Sequence, residues 1–307
     1  MFWDNYDNVL NIVKNDGLYL RYSNPQFKNN YNIVLTAVTQ YGQALQYAHN
    51  DLKNDYKIVL AAVKQDGKAF KYADDNLKNN YEIALNAVTQ YGRALQYVKD
   101  NLKNNYEIVF NAVKQDGYAL EYTPDIFKNN YYIVLTAVKQ NGYALYYAHD
   151  NLKNNYNIVL NAVKQNGFAL SYAHENLKNN YNIVYNAVEN DGYALVCVIN
   201  NYKNNYDIVL HAVKQDGYVL QYVSDELKNN YIILLNSLLS SCYSILYFPN
   251  KFKMNRKLVS NITKSKIKLN KIYCMSYKKI LLNKNIDYKF NNVYNELDNF
   301  CKIITFF

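Results

Sequence analysis

Four histidines, His49, His149, His174 and His211, are the side chains best suited to metal binding or proton transfer near neutral pH. Three of them share one register: His49, His149 and His174 are separated by multiples of 25 residues. Equivalent positions in stacked helical units stand on the order of 10 Å apart, too far to share one ion. They are read as solvated turn histidines. The acids at the next register position, Asp75, Asp100, Asp125, Asp150, Glu175 and Asp225, are expected to make turn hydrogen bonds. An acid–base pair of carboxylates needs two unlike environments, and equivalent positions of a repeat supply the same one. Four cysteines, Cys197, Cys242, Cys274 and Cys301, show no paired spacing, which speaks against a disulfide framework or a zinc site and for a reducing setting. No phosphate-binding loop, dinucleotide-binding glycine pattern or Cys–His nucleophile arrangement is present. The expectation is a protein with no catalytic residue, no metal, no cofactor and no small-molecule substrate.

Three further columns in the same 25-residue register concern recognition. A lysine recurs as Lys28, Lys53, Lys78, Lys103, Lys128, Lys153, Lys178, Lys203 and Lys228. It is either a basic rail for a phosphate backbone or acidic peptide, or a snorkelling side chain that covers the stack; the neighbouring acids favour the second. The residue after each glycine reads Leu18, Gln43, Lys68, Arg93, Tyr118, Tyr143, Phe168, Tyr193 and Tyr218. The last five, Tyr118, Tyr143, Phe168, Tyr193 and Tyr218, are the candidate partner-binding residues, since aromatic side chains supply much of the energy of interface hot spots. Packing between adjacent short helices is the competing account of the same five. A third column, Asn11, Thr36, Ala61, Asn86, Asn111, Thr136, Asn161, Asn186 and His211, is reminiscent of the asparagine ladder with which armadillo repeats hold a peptide backbone, but chance in an Asn-rich chain explains it as well.

The elements that carry these columns follow from the glycines. All 9 lie 25 residues apart, from Gly17 to Gly217, without an insertion. Counted from its leading tyrosine, the unit reads Tyr-x-Ile-Val-Leu-x-Ala-Val-x-Gln-x-Gly-x-Ala-Leu-x-Tyr-Ala-x-x-x-Leu-Lys-Asn-Asn. A tenth copy starts at Tyr231 with Cys242 in place of its glycine, and the register fades after Leu258, Val259 and Ile262. Such a period means stacked supersecondary units. In the copy starting at Tyr131, a first helix runs to about Gln140 with Asn130 as its N-cap. Gly142 is expected to close that helix in a left-handed conformation, which puts the cost of Gly142→Val at roughly 1–2 kcal/mol. A second, short helix covers about Tyr143 to His149 and leads into the Asn151-Leu152-Lys153-Asn154 turn. On a helical wheel Tyr131, Ile133, Val134, Leu135, Ala137 and Val138 span an arc of roughly 200°, twice what a surface helix needs. Ala144, Leu145, Ala148 and Leu152 form a narrower face. One hairpin cannot bury such surface alone. The fold class is therefore all-α: a right-handed-type α-solenoid of about ten 25-residue two-helix repeats.

The unit resembles the repeats of the domain of unknown function 4116. Residues 52–67, Leu-Lys-Asn-Asp-Tyr-Lys-Ile-Val-Leu-Ala-Ala-Val-Lys-Gln-Asp-Gly, match that pattern almost position for position, and the match recurs in register over residues 6–255. The resemblance implies a helical repeat in a virus- or host-associated setting, because the family occurs in large DNA viruses of protists and in bacteria living within such hosts. It brings no catalytic residue with it.

Charge divides the chain. The whole carries +9, but from Pro249 onward 13 Lys and Arg face 3 acids, which leaves 21 bases and 22 acids in the first 248 residues. The body is neutral and the tail basic, so the domains are a repeat solenoid over 6–255, nine full repeats plus one degenerate, and a basic tail or capping segment over 256–307. That tail is either a cover for the apolar end of the stack or a site for nucleic acid or anionic membrane. No signal peptide and no run of about 18 apolar residues is evident. An intracellular protein is expected, in the host cytoplasm if the source is viral. The leading functional expectation is a non-enzymatic scaffold for a protein partner; the alternative is nucleic-acid or membrane attachment through the basic tail.

Overall fold

The computed structural model describes residues 5–253, and the basic segment over 256–307, with Cys274 and Cys301, lies outside the described residues. Among the described residues every regular element is helical. Each repeat holds a ten-residue α-helix, a six-residue 3-10 helix and, in place of an open turn, a single helical turn. In the sixth repeat these are Tyr131–Gln140, Gly142–Tyr147 and Asp150–Lys153. The two-helix reading therefore stands, with the second helix a 3-10 helix that ends at Tyr147.

The long helices start as the sequence requires. The Asn130 side chain accepts from the Tyr132 and Ile133 amides, and the same cap recurs from Asn5 to Asn230. Ile133, Val134, Ala137 and Val138 are fully buried, while Tyr131 and Leu135 are half-buried at the edges of the apolar arc. Ala144 and Leu145 of the 3-10 helix complete the core.

The chain divides into two compact units at Asn186/Ala187. In the first, each long helix from Tyr6–Asn15 to Tyr156–Gln165 packs on the next, and each 3-10 helix from Gly17–Tyr22 to Gly167–Tyr172 does the same. In the second, Tyr206–Gln215 packs on Tyr231–Ser240, and the 3-10 helix Gly217–Tyr222 touches both Gly192–Cys197 and Cys242–Tyr247. Every unit is thus two layers, one of long helices and one of 3-10 helices. This is the architecture of an α-solenoid.

The glycine column has a different cause from the expected one. No described glycine has a positive φ. The break between helices is made instead by the residue before it: Asn141 is extended, at φ −150° and ψ 113°, and its side chain caps the 3-10 helix by accepting from the Tyr143 amide. Glycine is required by contact with the following repeat. A Cβ added at Gly67 would stand 2.5 Å from the Ala87 carbonyl oxygen, and one at Gly192 2.8 Å from that of Ala212; at Gly142 it would overlap the Ala162 carbonyl more closely still. The same approach brings a glutamine into place. The Gly42 amide donates to Gln65 Oε1 at 2.6 Å, and Gln65 Nε2 donates to the Gln40 carbonyl at 3.3 Å. One side-chain amide so bridges the helix break of the preceding repeat. Gln140 makes both bonds as well, Gln215 accepts from Gly192 and donates to the Glu189 carbonyl one residue earlier in its helix, and in the tenth repeat the Ser240 hydroxyl accepts from Gly217 and donates to the Gln215 carbonyl.

Candidate binding surface

A 3-10 helix has three residues per turn, so residues three apart lie above one another on one edge. In the motif Gly-x-Ala-Leu-x-Tyr, the alanine and leucine face the core and the two variable positions share the outer edge. This is why Lys68 pairs in register with Lys71, Arg93 with Gln96, Tyr118 with Glu121 and Tyr143 with Tyr146. The second of these positions is hard to see in the sequence because its residue type changes at nearly every repeat; its three-residue spacing from the first is the signal that puts both on one edge.

The five candidate aromatics all lie on this edge; Tyr118 is engaged with the preceding repeat, and Tyr143, Tyr193 and Tyr218 with the following one. Tyr118, Tyr143, Phe168 and Tyr193 are half-buried, and Tyr218 is 39% exposed. In the first unit the Arg93 guanidinium lies over the Tyr118 ring, 4.7 Å from its centre, and Tyr143 meets Tyr172 edge-to-face at 6.2 Å. In the second, Tyr193 meets Tyr222 at 5.7 Å with their hydroxyls hydrogen-bonded at 2.9 Å, and Tyr218 meets Tyr247 at 5.4 Å. Tyr143, Tyr193 and Tyr218 thus stand in tyrosine pairs and Tyr118 against an arginine, not as free-standing rings. Hydrogen bonding to Tyr193 pushes the Tyr222 phenol up to about 12, and burial followed by the Tyr218 hydroxyl raises that of Tyr247.

The remaining columns have internal roles. The recurring lysines are 17–27% exposed where they pair with the acid three residues earlier, as in Lys78–Asp75 at 3.2 Å and Lys178–Glu175 at 2.8 Å. The acids hold lysine ammoniums and not the turn amides expected of them. Turn amides are served by the residue before: Nδ1 of His49, His149 and His174 accepts from the backbone two residues on, each at 3.3 Å. The lysine carbonyl also takes the amide that opens the next turn, as in His149 to Lys128 at 2.9 Å and His174 to Lys153 at 3.0 Å. Pro124 has no amide to offer at that position. The asparagine column turns back on its own helix: Asn86, Asn111 and Asn161 donate to the carbonyls of Glu82, Glu107 and Asn157. Those amide groups are committed locally and do not project as a ladder. Among the described residues no group of three His, Cys, Asp or Glu is placed to hold a metal, and no helix is long and apolar enough to cross a membrane.

The family model described as domain of unknown function (DUF4116) matches the chain repeatedly, at residues 5–53, 30–78, 55–99, 80–128, 130–178, 157–203, 180–228 and 205–253. No curated protein and no solved structure matches it.

Proposed function

The chain belongs to the DUF4116 family, a domain of unknown function, and on that premise we propose that it is a non-enzymatic scaffold that binds a protein partner along the outer edge of its 3-10 helices. One observation supports this reading above the others. The side chains that build the stack repeat almost unchanged, whereas those on the outer edge change character from Lys68, Lys71 and Arg93 to Tyr118, Glu121, Tyr143 and Tyr146. In a repeat array, specificity belongs where otherwise equal copies differ. Tyrosine adds large contact area with a polar tip, and it loses little side-chain freedom on binding. The family's occurrence in viruses and bacteria of protists favours a host-cell protein as partner and the host cytoplasm as the setting.

Affinity capture from a protist-cell lysate, read by mass spectrometry, tests this. The comparison is between the full chain, a chain ending at Asn255, and two full-length variants: Tyr118, Tyr143 and Phe168 changed to Ser, and Tyr193 and Tyr218 changed to Ser. Circular dichroism checks that each is folded. A specific protein kept without the basic segment and lost with the aromatics is the expected result. Capture of only nucleic acid or anionic lipid, dependent on residues 256–307 and abolished by salt, would replace the scaffold with the alternative of electrostatic attachment.

A further inference from the structure

On the outer edge, the first variable residue of one repeat meets the residue that precedes the 3-10 helix of the next. Gln43 Nε2 donates to Asp66 Oδ2 at 2.7 Å, and Arg93 Nε donates to Asp116 Oδ2 at 2.7 Å. An outer-edge cation is therefore neutralised when that next residue is an acid. Lys68, in the repeat between these two, meets Tyr91 instead, with its Nζ 5.5 Å from the centre of the ring. Lys71, one 3-10 turn further along the same edge, has its Nζ 4.6 Å from the centre of the Tyr72 ring. Both distances suit cation–π attraction, which holds an ammonium in place but leaves its charge uncancelled.

The three acids of the third repeat are engaged elsewhere. Asp66 accepts from Gln43 and from the Lys68 amide, Asp74 accepts from the Asn76 amide, and Asp75 holds Lys78 at 3.2 Å and Lys99 at 2.6 Å. Among the described residues no carboxylate pairs with Lys68 or Lys71, and both are exposed. No outer-edge position of the first four repeats holds an acid. We infer that Lys68 and Lys71 dock carboxylates of the partner, so that the outer edge of the third repeat, backed by Tyr91 of the fourth, fits an acidic peptide segment. The inference rests on the scaffold reading and gives its partner a chemistry. Each ammonium is already held over a ring, so less freedom is lost on binding, and its N–H donors can turn to a carboxylate. Nucleic acid is the poorer occupant, because its affinity comes from many phosphate contacts in a row. The same edge has neutral Gln43 and Gln46 on one side of the two lysines, and on the other Arg93, already paired with Asp116, and Glu121.

The test is crosslinking of an octa-glutamate peptide to the full-length protein with a water-soluble carbodiimide, which joins a carboxylate to a lysine amine that it touches, at about 0.15 M ionic strength. Mass spectrometry reads each lysine separately, so peptide held by the basic residues from Pro249 onward is counted apart. Lys68 and Lys71 should be labelled well above Lys114 and Lys139, which are exposed on long helices. Tyr91→Asp supplies the counter-ion that Asp116 gives Arg93, and Lys68→Gln installs the residue of the second repeat. Each should lower the labelling of Lys71 about two- to fivefold, and Lys114→Gln should leave it unchanged. Labelling of Lys68 and Lys71 no higher than that of Lys114 and Lys139, or a Lys71 signal unmoved by Tyr91→Asp and Lys68→Gln, would overturn the site. Loss of that signal to an equal concentration of single-stranded octathymidine would overturn the peptide in favour of nucleic acid. If labelling fails while a lysate protein is still captured through Tyr118, Tyr143 and Phe168, the acidic-peptide chemistry falls and the scaffold reading stands.

Discussion

The inner and outer edges of the same six-residue 3-10 helix follow opposite rules. On the inner edge, Gly142, Ala144 and Leu145 are fully enclosed, and the room for a side chain at position 142 is set by a carbonyl 20 residues further on. On the outer edge, Tyr143 and Tyr146 stand where other repeats have Gln43 and Gln46, Lys68 and Lys71, or Arg93 and Gln96. The stack constrains the first edge through close contact and leaves the second to vary. A repeat array can thus change what it recognises without changing how it is held together.

Substitutions at the junction should separate the two edges, beginning with the glycine. Gly142→Ala should destabilise the protein by about 3 kcal/mol or more, since the added carbon meets backbone and not a movable side chain. Tyr143→Gln, the residue of the second repeat at the same outer position, should change the urea midpoint little by comparison. Next comes the clamp. Gln165 accepts from the Gly142 amide and donates to the Gln140 carbonyl. Gln165→Leu leaves both groups without those bonds and should cost about 1–3 kcal/mol in urea unfolding. Asn130→Ala removes the cap on two amides of one long helix and should cost about 1 kcal/mol in the same assay. Asp150→Asn breaks an exposed ion pair with Lys153 and should move the midpoint by less than about 0.5 kcal/mol.

The tyrosine pairs add a dependence on pH. Hydrogen bonding to Tyr193, with a smaller contribution from burial, raises the Tyr222 phenol to about 12 in the folded chain, against the ordinary 10.0 of an unfolded one. The folded state therefore holds more protons between those values, so this contribution is whole below pH 10 and is lost as pH rises through about 12. Tyr193→Phe, which removes the hydrogen bond, should lower the Tyr222 transition in an ultraviolet tyrosinate titration.

Much of the fold is legible in the sequence because it is local. Asn130 as a cap and the buried positions Ile133, Val134, Ala137 and Val138 follow from helical geometry within ten residues. The lysine column also reads correctly as a covering side chain, since its paired acid is three residues away. What eludes the sequence depends on the neighbouring repeat. The partner of Gly142 is Ala162, and that of the Gly142 amide is Gln165, 23 residues on. From one chain, a glycine after a helix invites the left-handed reading, and only the stacked structure shows the carbonyl that excludes a side chain. The outer edge is half legible for a similar reason. The column from Tyr118 to Tyr218 marks itself by five successive aromatics, but Glu121 and Tyr146 belong to a second column whose residue type changes at nearly every repeat, so only its three-residue spacing from the first gives it away.

The measurement that tests the account most directly is the urea unfolding of Gly142→Asn beside Gly142→Ala. Asparagine tolerates a left-handed backbone far better than alanine does, but it carries the same Cβ. Close contact with the next repeat predicts that both variants lose stability by a similar large amount. A Gly142→Asn midpoint near that of the wild type, with only Gly142→Ala destabilised, would contradict it and return the glycine to a conformational role.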